Sequence, residues 1–313
     1  MSAILGHHHM SMIVKDAVTT NKFYKEVLGL RRVKISVNQD DPSMYHLFYG
    51  DLTGSPGTEL TFFEMPAVGK THRGTNAITQ IGLLVPSVES LTYWKNRFEA
   101  LDVKHGEITT YANREALSFE DPDGLRLILL NKKDANIPGF WEPWDKSDIK
   151  KDHLILGIGS VEITVRDIKS TKDALQEIFR YIEVSASEKE IIMQSIEGEI
   201  FGEIVLKEEA GSVERPGRGS VHHLAIRAKN EEELRMWEEK IKEKGFVSTG
   251  VIDRYYFHSL YFRDANRIMF EIATDEPGFT VDSTIEDLGS KLDLPPFLED
   301  KRQEIVDKLK PIE

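Results

Sequence analysis

The chain has 313 residues, 53 acidic against 40 basic for a net charge of −13, 40% hydrophobic residues and no cysteine. The charge disfavours nucleic acid, whose binding rests on basic clusters that neutralise phosphates, and the missing cysteine removes disulfides, thiolate metal sites and cysteine nucleophiles. The length suits two globular domains; no stretch approaches the roughly 18 apolar residues of a membrane span, and MSAILGHHH lacks the parts of a signal peptide, so a cytoplasmic protein is expected.

In chain order, the first element is HMSMIVKD, from His9 to Asp16, led in by His7 and His8. Its apolar residues recur mostly at every second position, as a half-buried strand requires. The stretch TTNKFYKEVLG follows with Phe23 and Val27 at helical spacing, and Gly29 stands where a helix C-cap is expected. Strand patterns MYHLFYG and ELTFFEM come next, split by the turn Gly54-Ser55-Pro56-Gly57. The whole pattern then recurs three times. New first strands are QIGLLVPS (Gln80 to Ser87), SVEITVRD (Ser160 to Asp167) and HLAIRAKN (His223 to Asn230), each followed by an amphipathic helical stretch and more strands.

Four βαβββ modules therefore define an α+β chain. A single module cannot bury its sheet alone, so pairing is expected, with an N-terminal domain over 1–135, a C-terminal domain over 150–280 and the Pro/Trp-rich segment NIPGFWEPWDKSD between them. The tail over 281–313, containing LPPFLEDKRQEIVDKLKPIE, reads as one short helix packed on the body.

The first-strand slot holds His9, Gln80, Ser160 and His223 in the four modules. In the last strands, DPDGLRLI of the second module aligns with DANRIMFE of the fourth, so the slot that is Ile128 in one is Glu271 in the other. Glu271 lies in the otherwise apolar RIMFEIA. A buried carboxylate is costly unless it is paired or holds a metal. Two imidazoles and one carboxylate from distant strands are the ligand set of a non-haem Fe(II) site with open positions. A lone histidine on a strand is more often structural, but two histidines in equivalent slots with a glutamate point to a metal. The adjacent His8 and His222 either face the opposite side of their strands or sit at a kink. Their near-neutral pKa makes them candidates for supporting the metal ligands or moving a proton. In DRYYFHSLYFRD, alternation places Tyr261 on one face with Phe257 and Ser259, and Arg254 adds a cation. That pair suits an anionic aromatic ligand, although aromatic clusters also arise from cross-strand packing.

With these residues in view, the chain resembles the vicinal oxygen chelate superfamily. It is most similar to the hydroquinone-type ring-cleaving dioxygenases, the group of the chlorohydroquinone dioxygenases and MhqO-like proteins. GHHHMSMIVKDA, the long NQDDPSMYHLFYGD, GRGSVHHLAIRA and LPPFLED carry the likeness over nearly the whole chain. The resemblance implies His9, His223 and Glu271 as ligands of Fe(II), with Mn(II) as the alternative ion. It implies His8 as an acid/base or supporting residue, Arg254 and Tyr261 as the residues that orient the ring, and a small hydroquinone-type aromatic plus O2 as the reactants. Homo-oligomerisation is left open.

Two other classes fit the same fold. A glyoxalase-like isomerase or hydrolase needs a fourth protein ligand, for which ELTFFEM offers Glu59 or Glu64. A non-catalytic aromatic-ligand binding protein needs no open metal position.

Overall fold

Asp16, Ser87, Asp167 and Asn230 end the four first strands, and each accepts a hydrogen bond from the backbone N–H three residues on: Thr19, Ser90, Ser170 and Glu233. These side chains are helix N-caps, which satisfy donors left over at the start of a helix. The repeat seen in sequence is thus a strand ending in its own helix-start signal. The helices are α1 (Ala17–Asn21, continuing as a wide π-turn over Lys22–Val27), α2 (Val88–Ala100), α3 (Ile168–Glu177) and α4 (Glu231–Glu243).

In the computed structural model, which describes residues 4–312, sixteen strands follow the four modules. Module one contains β1 (His7–Val14), β2 (Arg31–Val37), β3 (Tyr45–Gly50) and β4 (Glu59–Glu64). Module two contains β5 (Ala77–Val85), β6 (His105–Tyr111), β7 (Arg114–Glu120) and β8 (Arg126–Asn131). Module three has β9 (Gly157–Val165), β10 (Ile182–Ala186), β11 (Glu190–Gln194) and β12 (Glu203–Glu208). Module four has β13 (Ser220–Ala228), β14 (Ile252–Asp253), β15 (Phe257–Arg263) and β16 (Met269–Pro277).

Two curled eight-stranded sheets result, in the orders β14-β15-β16-β13-β1-β4-β3-β2 and β10-β11-β12-β9-β5-β8-β7-β6. The fold is α+β. The sheets cross the boundary between the linear halves expected from sequence, because module one shares its sheet with module four and module two with module three. Each first strand lies parallel to its own module's last strand on one edge, leaving the other edge to an antiparallel first strand: β1 with β13, and β5 with β9. This pairing brings both histidine-bearing strands side by side.

Residues 279–294 form a strap along the β2 edge. Arg31 donates to the carbonyls of Leu52 and Ile285, Arg32 donates to that of Gly289, and Leu292 bridges Ile35. The tail then forms two short helices, α5 (Pro296–Glu299) and α6 (Arg302–Val306), where one was expected. Pro295-Pro296 opens the first of them, and Leu298 and Ile305 pack with Val37. Among the described residues, no helix is long and apolar enough to cross a membrane.

Candidate metal centre

His9 and His223 meet across the β1–β13 pair, and Glu271 joins them from β16. All three are buried, with relative exposures of 2%, 3% and 0%. The two Nε2 atoms are 3.3 Å apart, and Glu271 Oε2 lies 3.2 Å from His9 Nε2 and 2.7 Å from His223 Nε2. Oε2 is buried without a well-directed hydrogen bond, whereas Oε1 accepts from Ser259 Oγ at 2.5 Å. Ligands about 2.1 Å from a common ion and at right angles around it stand about 3 Å from one another. The three donor atoms have that spacing, so this set fits a divalent cation. Burial raises the Glu271 carboxyl, but positive charge on the neighbouring imidazoles, when they are protonated, outweighs it and holds the group well below the usual range.

Both neighbouring histidines sit at kinks. The β1–β13 register passes from His7↔Ile226 to His9↔Ala225 and from Ser11↔His223 to Met12↔Val221, which leaves His8 and His222 as the extra residues of two β-bulges. A bulge turns consecutive side chains toward the same side. His8 Nδ1 accordingly lies 3.0 Å from His9 Nδ1, and His222 Nδ1 lies 2.8 Å from His223 Nδ1. His8 Nε2 contacts the Thr274 carbonyl at 3.1 Å. A carbonyl only accepts, so Nε2 of His8 carries the proton. Burial lowers the His8 pKa to about 3, keeping the ring neutral and its Nδ1 an acceptor. His9 must then donate from Nδ1, which leaves Nε2 as a free lone pair facing Glu271. Orienting a ligand imidazole through its far nitrogen fixes its tautomer and strengthens its basicity. His8→Ala should therefore weaken metal binding by about 10–100-fold while leaving one site per chain, as measured by competition with a chromogenic chelator. Unchanged affinity would remove His8 from this role.

The site opens into a pocket whose lining includes His9, His223, Phe257, Tyr261 and Arg254. Phe257 lies 5.2 Å from the His9 ring, and Tyr261 lies 5.6 Å from the His223 ring. Burial holds the Tyr261 phenol well above its ordinary value, so it stays protonated and can donate. Arg254 stands 5.6 Å over the Tyr261 ring and 3.5 Å from Asp40 at the pocket edge. His8 is absent from the lining, and His222 is exposed with its Nδ1 turned to His223.

Neither candidate fourth ligand is in place. Glu64 accepts from the Ala17 N–H at 2.9 Å and so supports the start of α1. Glu59 lies behind the site, 3.7 Å from His8 Nδ1, and burial beside other carboxylates pushes its pKa well above the ordinary value. His8, His9 and Glu59 do fall within 4.8 Å of one another, but the two Nδ1 atoms of that set face each other and Glu59 is a neutral acid. The register identifies the residue that does occupy the slot. Glu271 is opposite Ala225, two residues past His223, whereas the residue opposite Ser11, two past His9, is Thr61. Thr61, Ser11 and the pocket-lining His46 are features that sequence reading passed over, because only the β1–β4 and β3–β4 registers bring them together. In the other sheet, Ser160 donates to Glu203, which is paired with Arg114 at 2.8 Å, so an ion pair fills that half-site.

The family model described as Glyoxalase/Bleomycin resistance protein/Dioxygenase superfamily matches residues 6–129 and 157–272. The protein of Bacillus subtilis (strain 168) provisionally named ring-cleaving dioxygenase MhqA is 46% identical, over 98% of this chain and 99% of its own length. The chlorohydroquinone/hydroquinone 1,2-dioxygenase of Sphingobium indicum is 25% identical over 96% of this chain and 94% of its own. A crystal structure of a provisionally named dioxygenase from Bacillus subtilis superposes with a TM-score of 0.93 at 34% identity, covering 100% and 99% of the two chains. Glyoxalase I from Zea mays has a TM-score of 0.62 at 14% identity, covering 86% of this chain and 92% of its own, a likeness of fold alone. With matching modules in both halves and these relatives along its full length, the chain belongs to the Glyoxalase/Bleomycin resistance protein/Dioxygenase superfamily.

Proposed function

We propose that this protein is an Fe(II)-dependent dioxygenase that opens a hydroquinone-type aromatic ring with O2. The observation that carries the reading is a set of three protein donors beside an aromatic pocket, with Thr61 where a four-ligand site would need a carboxylate. Such a set leaves positions for substrate and O2. The names of the relatives support the reaction class, and the 2-His-1-carboxylate set favours iron over the hard-oxygen sites of Mg(II) and Ca(II).

His9, His223 and Glu271 would hold the ion. When bound, ferrous iron would supply Lewis acidity toward a ring hydroxyl and a redox path to O2. This chain's own residues do the rest. Arg254 meets the negative charge of a deprotonated ring oxygen, Tyr261 donates a hydrogen bond, and Phe257 excludes water from the ring face. His8 and His222 keep the ligand imidazoles turned toward the ion, a positioning part distinct from direct proton exchange with substrate.

The test is anaerobic reconstitution with Fe(II), then O2 consumption on adding 2-methylhydroquinone, with catechol in parallel. One O2 consumed per hydroquinone lost, with a new semialdehyde absorbance, is the expected result. One bound iron per chain and no uptake with either substrate would overturn the proposal.

A further inference from the structure

The two histidine-bearing modules support the site with opposite pairs of side chains. On β16, Glu271 is opposite Tyr261, and Ser259, two residues back along β15, hydrogen-bonds it. On β4, Thr61 is opposite Phe48, and the residue two positions back along β3 is His46, whose Nε2 lies 3.1 Å from Thr61 Oγ1. Module four thus combines a long acid with a short hydroxyl, and module one a short hydroxyl with a long imidazole. The polar reach of module one has moved off the ligand slot and onto the pocket wall.

His46 is held firmly there. Its ring stacks on Phe63 at 4.2 Å and 28°, and Phe48 packs at 4.1 Å. Thr61 is itself fixed by Ser11 Oγ at 2.7 Å. With Nε2 on Thr61, Nδ1 is the remaining polar atom of a half-buried ring that lines the cavity. His46 makes no hydrogen bond to the three donors, so it suits an oxygen across the substrate ring better than one at the metal. Clamping a side chain before the ligand arrives lowers the cost of ordering it on binding.

We propose that His46 is the second polar anchor of the pocket. Resting on the functional reading above, it hydrogen-bonds the ring hydroxyl that the metal does not hold, and thereby selects dihydroxy-aromatics over monophenols. Arg254 and Tyr261 address the same ring from module four.

The experiment is anaerobic calorimetric titration of the Fe(II)-loaded protein with hydroquinone and with phenol, the same ring lacking one hydroxyl. The wild-type protein should bind hydroquinone at least about 10-fold more tightly than phenol, as expected where a site built to pair a hydroxyl is left unpaired. In His46→Ala that ratio should fall to within about twofold of one, with iron content unchanged. His46→Gln and Thr61→Val, which keep the packing between Phe48 and Phe63 and around Ser11, should give intermediate ratios. Variants that keep their iron and the wild-type ratio overturn the assignment and leave the functional reading standing. A wild-type protein that neither binds hydroquinone nor consumes O2 with it overturns that reading, and this assignment with it.

Discussion

Alanine in place of His9 is expected to abolish iron retention and ring cleavage together. The substitution removes one of only three donors and also strands His8, whose Nδ1 is 3.0 Å from the lost ring. Because removing a supporting residue costs about 10–100-fold, removing a ligand should exceed about 100-fold in metal affinity, with turnover falling in step. Iron per chain after desalting and O2 uptake with 2-methylhydroquinone are the two measurements. Stability offers a third: Fe(II) at 100 times its dissociation constant should stabilise the wild-type fold by about 2.7 kcal/mol, and the variant should gain nothing. A His9→Ala protein with near-full turnover would sink the site assignment.

The second large effect belongs to Lys34. Its side chain is fully buried, with Nζ 2.6 Å from Asp282 Oδ1, 2.8 Å from Asp293 Oδ2 and 5.0 Å from the centroid of the Tyr256 ring. Both aspartates lie in the C-terminal strap, and Asp282 also accepts from the Tyr256 hydroxyl at 3.0 Å. Removing one partner of a buried ion pair strands the other charge, a loss of about 3–5 kcal/mol. Lys34→Met should fall near the lower end, because the Asp282 side chain keeps 18% of its exposure and is partly screened. Urea unfolding of the apo protein measures it. The triple variant K34M/D282N/D293N should recover most of the loss, since no charge then remains unpaired. A single variant within about 0.5 kcal/mol of wild type would show that the strap is held by Arg31, Arg32 and its apolar contacts instead. Since Tyr256 lines the pocket, Lys34→Met should also raise KM more than it lowers kcat.

The four-module pattern was legible because its signals are local. Strand alternation, a capping residue at each strand end and helical spacing after it involve neighbours within one turn, and they survive without knowledge of the rest of the chain. Glu271 was legible because a carboxylate in RIMFEIA conflicts with the apolar strand around it, and the aligned strand of module two has Ile128 there. His9 and His223 were legible as equivalent positions of two repeats. Ser259 was placed on the correct face with Tyr261 by alternation, though its bond to Glu271 was not foreseen.

Other residues depended on partners remote in sequence. Alternation alone left His8 and His222 either opposite the ligands or at a kink, and the β1–β13 register decides for two bulges. Lys34, in the strand RRVKISV, is 0% exposed because the strap crosses the strand edge and brings Asp282 and Asp293 to it. Glu59 and Glu64 were equal candidates for a fourth ligand until burial and hydrogen bonding sent one behind His8 and the other to the start of α1.

By itself, then, the sequence determined the module, its fourfold repetition and the class of fold, and it singled out three residues whose donor atoms the fold brings together. All of these follow from periodicity and residue chemistry along the chain. Only the tertiary structure decided that module one pairs with module four, that His8 and His222 bulge toward the rings of His9 and His223, and that Thr61 stands where a fourth ligand could have been, with His46 on the pocket wall beside it. Those outcomes depend on which strand edges meet and in what register, and a shift of one residue would turn every side chain of a strand to its other face.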